Sequence, residues 1–278
     1  MGYHLGLYEK SMPNDLTIKR KLSEAAAAGY DYLEVSIDET DSKLARLNWS
    51  KNEILSLYQA QQETGVPIKS ICLSGHRRFP LGSLDESIRK HSFDIMVKAV
   101  RLASELGVRI IQIAGYDVYY EQSSEDTKRY FEVNLANSVE VAAREGVILA
   151  FETMETPFMD TVKKAMYWVE LINSPYLQIY PDIGNIVNSA QLYGTDPVAD
   201  LHCGAGHLAA IHLKETTPGV YREVPYGSGH VNFKTMARES RKLGVGLFVG
   251  EFWHIAGEDW QKTLRQNTLF LREALDSA

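Results

Sequence analysis

The sequence predicts a closed (β/α)₈ barrel, and three features carry that prediction. Eight short runs of β-branched and aromatic residues recur along the chain, a longer segment of helical periodicity follows each, and glycines stop the first four of those segments. The first unit pairs strand Tyr3–Tyr8 with helix Leu16–Ala28, closed by Gly29. The second pairs Tyr32–Ile37 with Ile54–Thr64 and Gly65. The third pairs Lys69–Ser74 with Glu86–Leu106 and Gly107, and the fourth Arg109–Ala114 with Glu125–Glu145 and Gly146. Glycine just past a helix takes the left-handed conformation at no steric cost, and here a new apolar run begins a few residues later, as in short barrel loops. Strands five to eight are expected at Ile148–Met154, Leu177–Asp182, Leu208–Lys214 and Leu247–Trp253.

These units cover residues 1–278 evenly, without a composition shift, a Gly/Ser tether or a low-complexity run, so one catalytic barrel domain is expected to fill the chain. An open doubly wound sheet is the competing fold. It fits less well, because the first βα turn, Tyr8-Glu9-Lys10-Ser11-Met12-Pro13, has no glycine-rich phosphate-binding fingerprint.

Composition narrows the function. Apolar residues make up 45% and charged residues 23%, the balance of a globular chain able to bury a large core. A formal net charge of −7 repels polyanions, so nucleic acid is not an expected partner. A small phosphorylated metabolite held in a local basic pocket remains compatible. No apolar run reaches the roughly 18 residues of a membrane span, and no targeting pattern opens the chain. With only Cys72 and Cys203 there is no disulfide framework, which points to the cytoplasm.

Chemistry in such a barrel sits where strands end. Glu152, Asp182, His212 and Glu251 fall late in strands five, six, seven and eight, one βα unit apart. Each follows apolar residues of a barrel wall, where a charge is costly without a compensating partner. Three carboxylates and an imidazole brought to one point suit a divalent cation, Mn²⁺ or Zn²⁺ ahead of Co²⁺ or Mg²⁺. Glu34 and Glu155 are weaker candidates for contacts with substrate hydroxyls. His207, before strand seven, reads as structural. Phosphate needs cations or oriented N–H groups. The loop Ser74-Gly75-His76-Arg77-Arg78-Phe79-Pro80, Lys214 two residues after His212, and the amides of Pro225-Tyr226-Gly227-Ser228-Gly229-His230 offer them.

With those residues in view, the chain resembles the L-ribulose-5-phosphate 3-epimerase family, also called L-xylulose-5-phosphate 3-epimerase, of the xylose-isomerase-like barrels. The resemblance rests on Gly6-Leu7-Tyr8-Glu9-Lys10, Ser36-Ile37-Asp38-Glu39-Thr40-Asp41, Cys72 through Gly82, Gly115-Tyr116-Asp117-Val118-Tyr119-Tyr120 and Tyr180-Pro181-Asp182-Ile183-Gly184-Asn185. It implies interconversion of L-xylulose 5-phosphate and L-ribulose 5-phosphate in L-ascorbate or related pentose catabolism, by a homodimer. It also implies Glu152, Asp182, His212 and Glu251 as metal ligands. Related ketose epimerases carry a substrate-binding His after the strand-six Asp, where this chain has Asn185. In the mechanism expected, Glu152 and Glu251 flank the substrate as two bases, and His76, Arg77, Arg78, Asn185 and Lys214 contact sugar or phosphate. The competing activity is an aldose–ketose or hydroxypyruvate isomerase on the same barrel.

Overall fold

The computed structural model describes residues 2–277. Among them, eight parallel strands form the inner wall: β1 His4–Tyr8, β2 Tyr32–Ile37, β3 Ile68–Leu73, β4 Ile110–Ala114, β5 Ile148–Glu152, β6 Leu177–Ile179, β7 Ile211–Leu213 and β8 Leu247–Gly250. Their order, β6-β5-β4-β3-β2-β1-β8-β7, leaves β6 and β7 to meet. They meet through the bridges Ile179↔Leu208 and Asp182↔His212, with Ala209 N–H donating to Ile179 O at 2.8 Å and His212 N–H to Pro181 O at 2.9 Å. The barrel is therefore closed, as the rhythm of the sequence predicts.

Around the wall lie helices α1 Ile18–Ala28, α2 Asp41–Leu44, α3 Lys51–Thr64, α4 Glu86–Leu106, α5 Glu125–Glu145, α6 Val162–Ile172, α7 Ile183–Tyr193, α8 Pro197–His202, α9 Phe233–Lys242 and α10 Trp260–Asp276. The predicted bounds of α4 and α5 hold, because Asp85 and Ser124 cap their starts and Gly107 and Gly146 their ends at φ 70° and 64°. The start of α1 moves to Ile18 because the Thr17 hydroxyl accepts from Arg20 N–H at 3.2 Å. The start of α3 moves back to Lys51, where Ser50 and Glu53 form a capping box.

Strand ends differ in an informative way. Strand β6 stops at Ile179, before Pro181, which has no N–H for the ladder. Asp182 becomes instead the N-cap of α7, its Oδ1 accepting from Asn185 N–H at 3.1 Å. Strands β5, β7 and β8 likewise end earlier than expected, at Glu152, Leu213 and Gly250. The apolar pattern runs on, but pairing lapses where the chain turns at the barrel mouth.

Alternation divides each strand between two cores. In β1, Leu5 and Leu7 face the helices, fully buried, while Gly6 and Tyr8 face inward. The interior is filled by Tyr8, Tyr32, Cys72, Tyr180 and Val249, with small Ala150 and Ala210 between. A Cβ at Gly6 would strike the Tyr32 ring, so glycine there makes room for an aromatic plug. Each buried Leu of the outer layer contributes about 1.5–3 kcal/mol, which holds the wall rigid beneath the residues at its rim.

Candidate metal centre at the barrel mouth

Glu152 ends β5, Asp182 caps α7 directly after β6, His212 is the middle residue of β7 and Glu251 follows β8. Neighbouring strands thus deliver one side chain apiece. All four are buried, and one donor atom from each lies within 4.8 Å of the others. His212 Nδ1 stands 3.2 Å from Glu251 Oε2 and 3.4 Å from Glu152 Oε1. Yet His212 Nδ1 and Glu251 Oε2 have no hydrogen-bond partner among the described residues, and Asp182 Oδ2 meets only the Lys214 ammonium. Buried polar atoms that crowd without bonding one another are aimed at a shared point. Three carboxylate oxygens and one imidazole nitrogen fit a divalent cation there.

The electrostatics agree. Lys214, two residues past His212 on the same side of the chain, forms an ion pair with Asp182 and lies 3.7 Å from Glu251 Oε2. Burial opposes a charge on His212, but Glu34 and Glu251 outweigh it and raise its pKa well above the usual value; even so, Lys214 and His212 carry at most two positive charges against three carboxylates. Burial pushes the Asp182 carboxyl up, to about 7, against the pull of Lys214. Burial also raises Glu251, but Lys214 and then His212 outweigh it and bring it below the usual value. A divalent cation would supply the missing positive charge.

Glu34 departs from its expected place. It contacts no open space: it is fully buried in β2, with Oε1 2.6 Å from His212 Nε2 and Oε2 accepting from Ser70 Oγ at 2.6 Å and Tyr180 Oη at 2.9 Å. The strict alternation Tyr32-Leu33-Glu34-Val35-Ser36 carries the signal for an inward carboxylate, but the partner lies 178 residues away.

Above the cluster opens a cleft whose lining includes Lys10, Arg77, Asn185, Lys214, Arg222 and Trp253. Of the basic loop residues, only Arg77 lines it. The stretch Gly75–Arg77 is a 3-10 turn, in which successive side chains point about 120° apart. His76 is turned inward, its Nε2 3.1 Å from Ser92 O of α4, and burial lowers its pKa to about 4, so it stays neutral and away from the cleft. Arg78 is turned to solvent and pairs with exposed Asp41 at 2.9 Å. Arg77 sits over the Tyr119 ring at 4.6 Å, makes no ion pair among the described residues, and its buried Nε has no partner. Asn185 donates from Nδ2 to Thr153 O at 2.7 Å and leaves its buried Oδ1 without a partner beside the cleft. Glu155 accepts from Tyr119 Oη at 3.0 Å and pairs with Arg222 at 3.4 Å.

The expected N–H cradle at 225–230 is otherwise engaged. Gly227 N–H donates to the buried Glu215 carboxylate at 3.0 Å and His230 N–H to Thr216 O at 3.0 Å, and Val231 N–H just beyond also meets Glu215 at 3.1 Å, so a side chain with no motif around it anchors this loop. His207 lies outside the cleft lining and its carbonyl accepts from Ile179 N–H at 2.8 Å, as a structural residue would.

Comparison with known proteins agrees with this architecture. Residues 22–274 match the family described as Xylose isomerase-like TIM barrel. L-ribulose-5-phosphate 3-epimerase UlaE of Escherichia coli K12 is 43% identical over 256 residues, covering 92% of this chain and 89% of that protein. The UlaE of Shigella boydii serotype 18 has the same identity and coverage. Among solved structures, D-psicose 3-epimerase from Clostridium cellulolyticum H10 superposes with a TM-score of 0.82 at 15% identity, over 98% of this chain and 99% of that one. A structure of L-ribulose 3-epimerase superposes with a TM-score of 0.78 at 17% identity, over 100% and 95%. At those identities the superpositions speak for the fold, and it is the 43% relative that narrows the assignment. The chain belongs to the xylose isomerase-like TIM barrel family and, within it, to the L-ribulose-5-phosphate 3-epimerase family.

Proposed function

We propose that this protein is a metal-dependent sugar-phosphate 3-epimerase that interconverts L-ribulose 5-phosphate and L-xylulose 5-phosphate. The observation that carries the reading is the buried convergence of Glu152, Asp182, His212 and Glu251, in a chain 43% identical to an L-ribulose-5-phosphate 3-epimerase. The four would hold Mn²⁺ or Zn²⁺, with Co²⁺ and Mg²⁺ as further candidates. When bound, such a cation supplies Lewis-acid polarisation of the C2 carbonyl and offsets the negative charge that grows as the C3 proton leaves.

The chain's own residues do the rest. Glu152 ends β5 and Glu251 follows β8, with β6 and β7 between them, so the two carboxylates reach a bound ketose from different sides. One removes the proton from C3, giving an enediolate, and the other returns a proton to the opposite face. Asn185 Oδ1 accepts a substrate hydroxyl, and the Arg77 guanidinium, without an ion pair among the described residues, holds the phosphate at the cleft. Lys214 steadies the carboxylates through its ion pair with Asp182. Trp253 and Tyr8 supply apolar walls that limit water around the reacting carbons.

No helix among the described residues is long and apolar enough to cross a membrane, and Cys72 and Cys203 are both free. The free thiols support a cytoplasmic setting, and the proposal extends to a homodimer serving L-ascorbate or related pentose catabolism.

Proton NMR of L-ribulose 5-phosphate with the protein in D₂O tests the reading. The expected result is C3-deuterated L-xylulose 5-phosphate, abolished by exhaustive EDTA treatment and restored by Mn²⁺ or Zn²⁺. Exchange at C1 would assign an aldose–ketose isomerase instead, and absence of exchange under every condition would overturn the epimerase reading.

A further inference from the structure

Among the described residues, Glu34 is a fully buried carboxylate that faces the barrel interior without belonging to the four-residue cluster, and the chemistry above gives it no task. Its surroundings define one. Tyr180 and Ser70, from the β6 and β3 sides of the barrel, both donate to Oε2, at 2.9 and 2.6 Å, and fix the carboxylate in place. Oε1 is left facing a single partner, His212 Nε2, at 2.6 Å. An ionised carboxylate only accepts, so the proton in that contact belongs to Nε2. In a neutral imidazole the lone pair then resides on Nδ1. Nδ1 is the atom that crowds Glu152 and Glu251 without bonding either. The Tyr180 ring, edge-on to the imidazole at 4.8 Å, restricts rotation that would exchange the two nitrogens.

We propose that Glu34 is the positioning residue of the metal centre: it selects the Nε2–H tautomer of His212 and aims the Nδ1 lone pair at the cation. The inference rests on the reading that the four-residue cluster holds a divalent cation. It adds a fifth residue, on the far side of the imidazole, whose effect travels through His212. A purely structural Glu34 would tie β2, β3 and β6 together and leave the choice of tautomer and the metal affinity alone.

Two measurements on the full-length protein decide it, with Zn²⁺ as the probe. In wild-type protein labelled with ¹⁵N-histidine and loaded with Zn²⁺, NMR should find His212 Nε2 protonated and Nδ1 bound to the metal. Competition with a chromophoric chelator should find that Glu34→Gln binds Zn²⁺ about 10–100-fold more weakly than wild type. Coordination through Nε2, a proton on Nδ1, or Zn²⁺ affinity in Glu34→Gln within twofold of wild type would overturn the assignment of Glu34 while leaving the metal site intact. Wild-type protein that takes up no Zn²⁺, Mn²⁺ or Co²⁺ would overturn the cation reading itself and the inference with it. Should Glu34→Gln fail to fold, the wild-type tautomer measurement decides alone.

Discussion

Glu251 Oε2 lies 3.2 Å from His212 Nδ1, and both atoms lack a hydrogen-bond partner among the described residues. Glu152 approaches the same nitrogen from β5 at 3.4 Å. If these two carboxylates are the acid and base, Glu152→Gln and Glu251→Gln keep the shape and one donor oxygen but cannot shuttle the proton. Each should lower kcat by about 10²–10⁴-fold in metal-replete protein, with KM changed far less. Steady-state kinetics combined with metal content would check this. Near-normal kcat in either variant would sink the two-base scheme.

Arg77 and Arg78 are neighbours in sequence with opposite prospects. Arg77 lines the cleft without an ion pair among the described residues, whereas Arg78 is half exposed and pairs with an Asp41 carboxylate that is 91% exposed. Removing a charge-assisted hydrogen bond to phosphate costs about 1.5–3 kcal/mol, so Arg77→Ala should raise KM for the sugar phosphate by about 10–100-fold and leave kcat nearly unchanged. Exposed ion pairs contribute about 0–1 kcal/mol, so Arg78→Ala should change neither constant by more than about threefold. Equal effects of the two substitutions on KM would refute the distinction.

A cation that binds the folded chain alone stabilises it by mass action. Three buried carboxylates facing one ammonium and one imidazole leave the apo protein an excess of negative charge that the cation relieves. Wild-type protein in metal at about 100 times its Kd should gain about 2.7 kcal/mol over the EDTA-treated form, read as a rise in Tm. Asp182→Asn should lose most of that gain. A Tm indifferent to EDTA in wild-type protein would argue against a resident cation.

Local chemistry explains which features were readable in the sequence. Asp182 and His212 could be found because each interrupts a run of residues bound for a barrel wall, where an ionisable group needs a reason to be. The bounds of α4 and α5 were legible because capping residues mark both ends. The bond from Glu34 to His212 was not, since alternation fixes only which way a side chain faces and not which of seven other strands answers it. The same limit hid Glu215, whose carboxylate takes the amides offered by its neighbouring loop. His76 and Arg77 could not be told apart because a single 3-10 turn, too short to carry periodicity, sends them in different directions. Composition alone overstates the length of β6, because its apolar run continues past the point where Pro181 ends pairing.

A second buried charge cluster, just past the end of β1, makes the fold sensitive to acid. The Glu9 carboxylate is fully buried, with Arg46 Nη1 at 2.6 Å, Lys21 Nζ at 3.4 Å, an ion pair to Lys43 and Ser36 N–H donating at 3.0 Å. Burial pushes its pKa up, but Arg46, Lys21 and Lys43 together outweigh burial and bring it down to about 2 from the ordinary 4.5. The folded state therefore binds this proton less readily than the unfolded state. The stability it contributes is complete above about pH 4.5 and is lost as pH falls toward 2. The drop from 4.5 to about 2 corresponds to about 3 kcal/mol. Lys21 is lowered as well, to about 8, because burial outweighs Glu9; there it is the charged form that costs stability, below about pH 8. Glu9→Gln leaves three cations around a neutral amide and should cost about 3–5 kcal/mol at pH 7. Urea unfolding of EDTA-treated wild type and variant from pH 7 to pH 3 should show the two stabilities converging below about pH 4.5, where the unfolded chain takes up the proton that folded Glu9 still refuses. Curves that stay parallel across that range would mean that the carboxylate is not held ionised by its three cations.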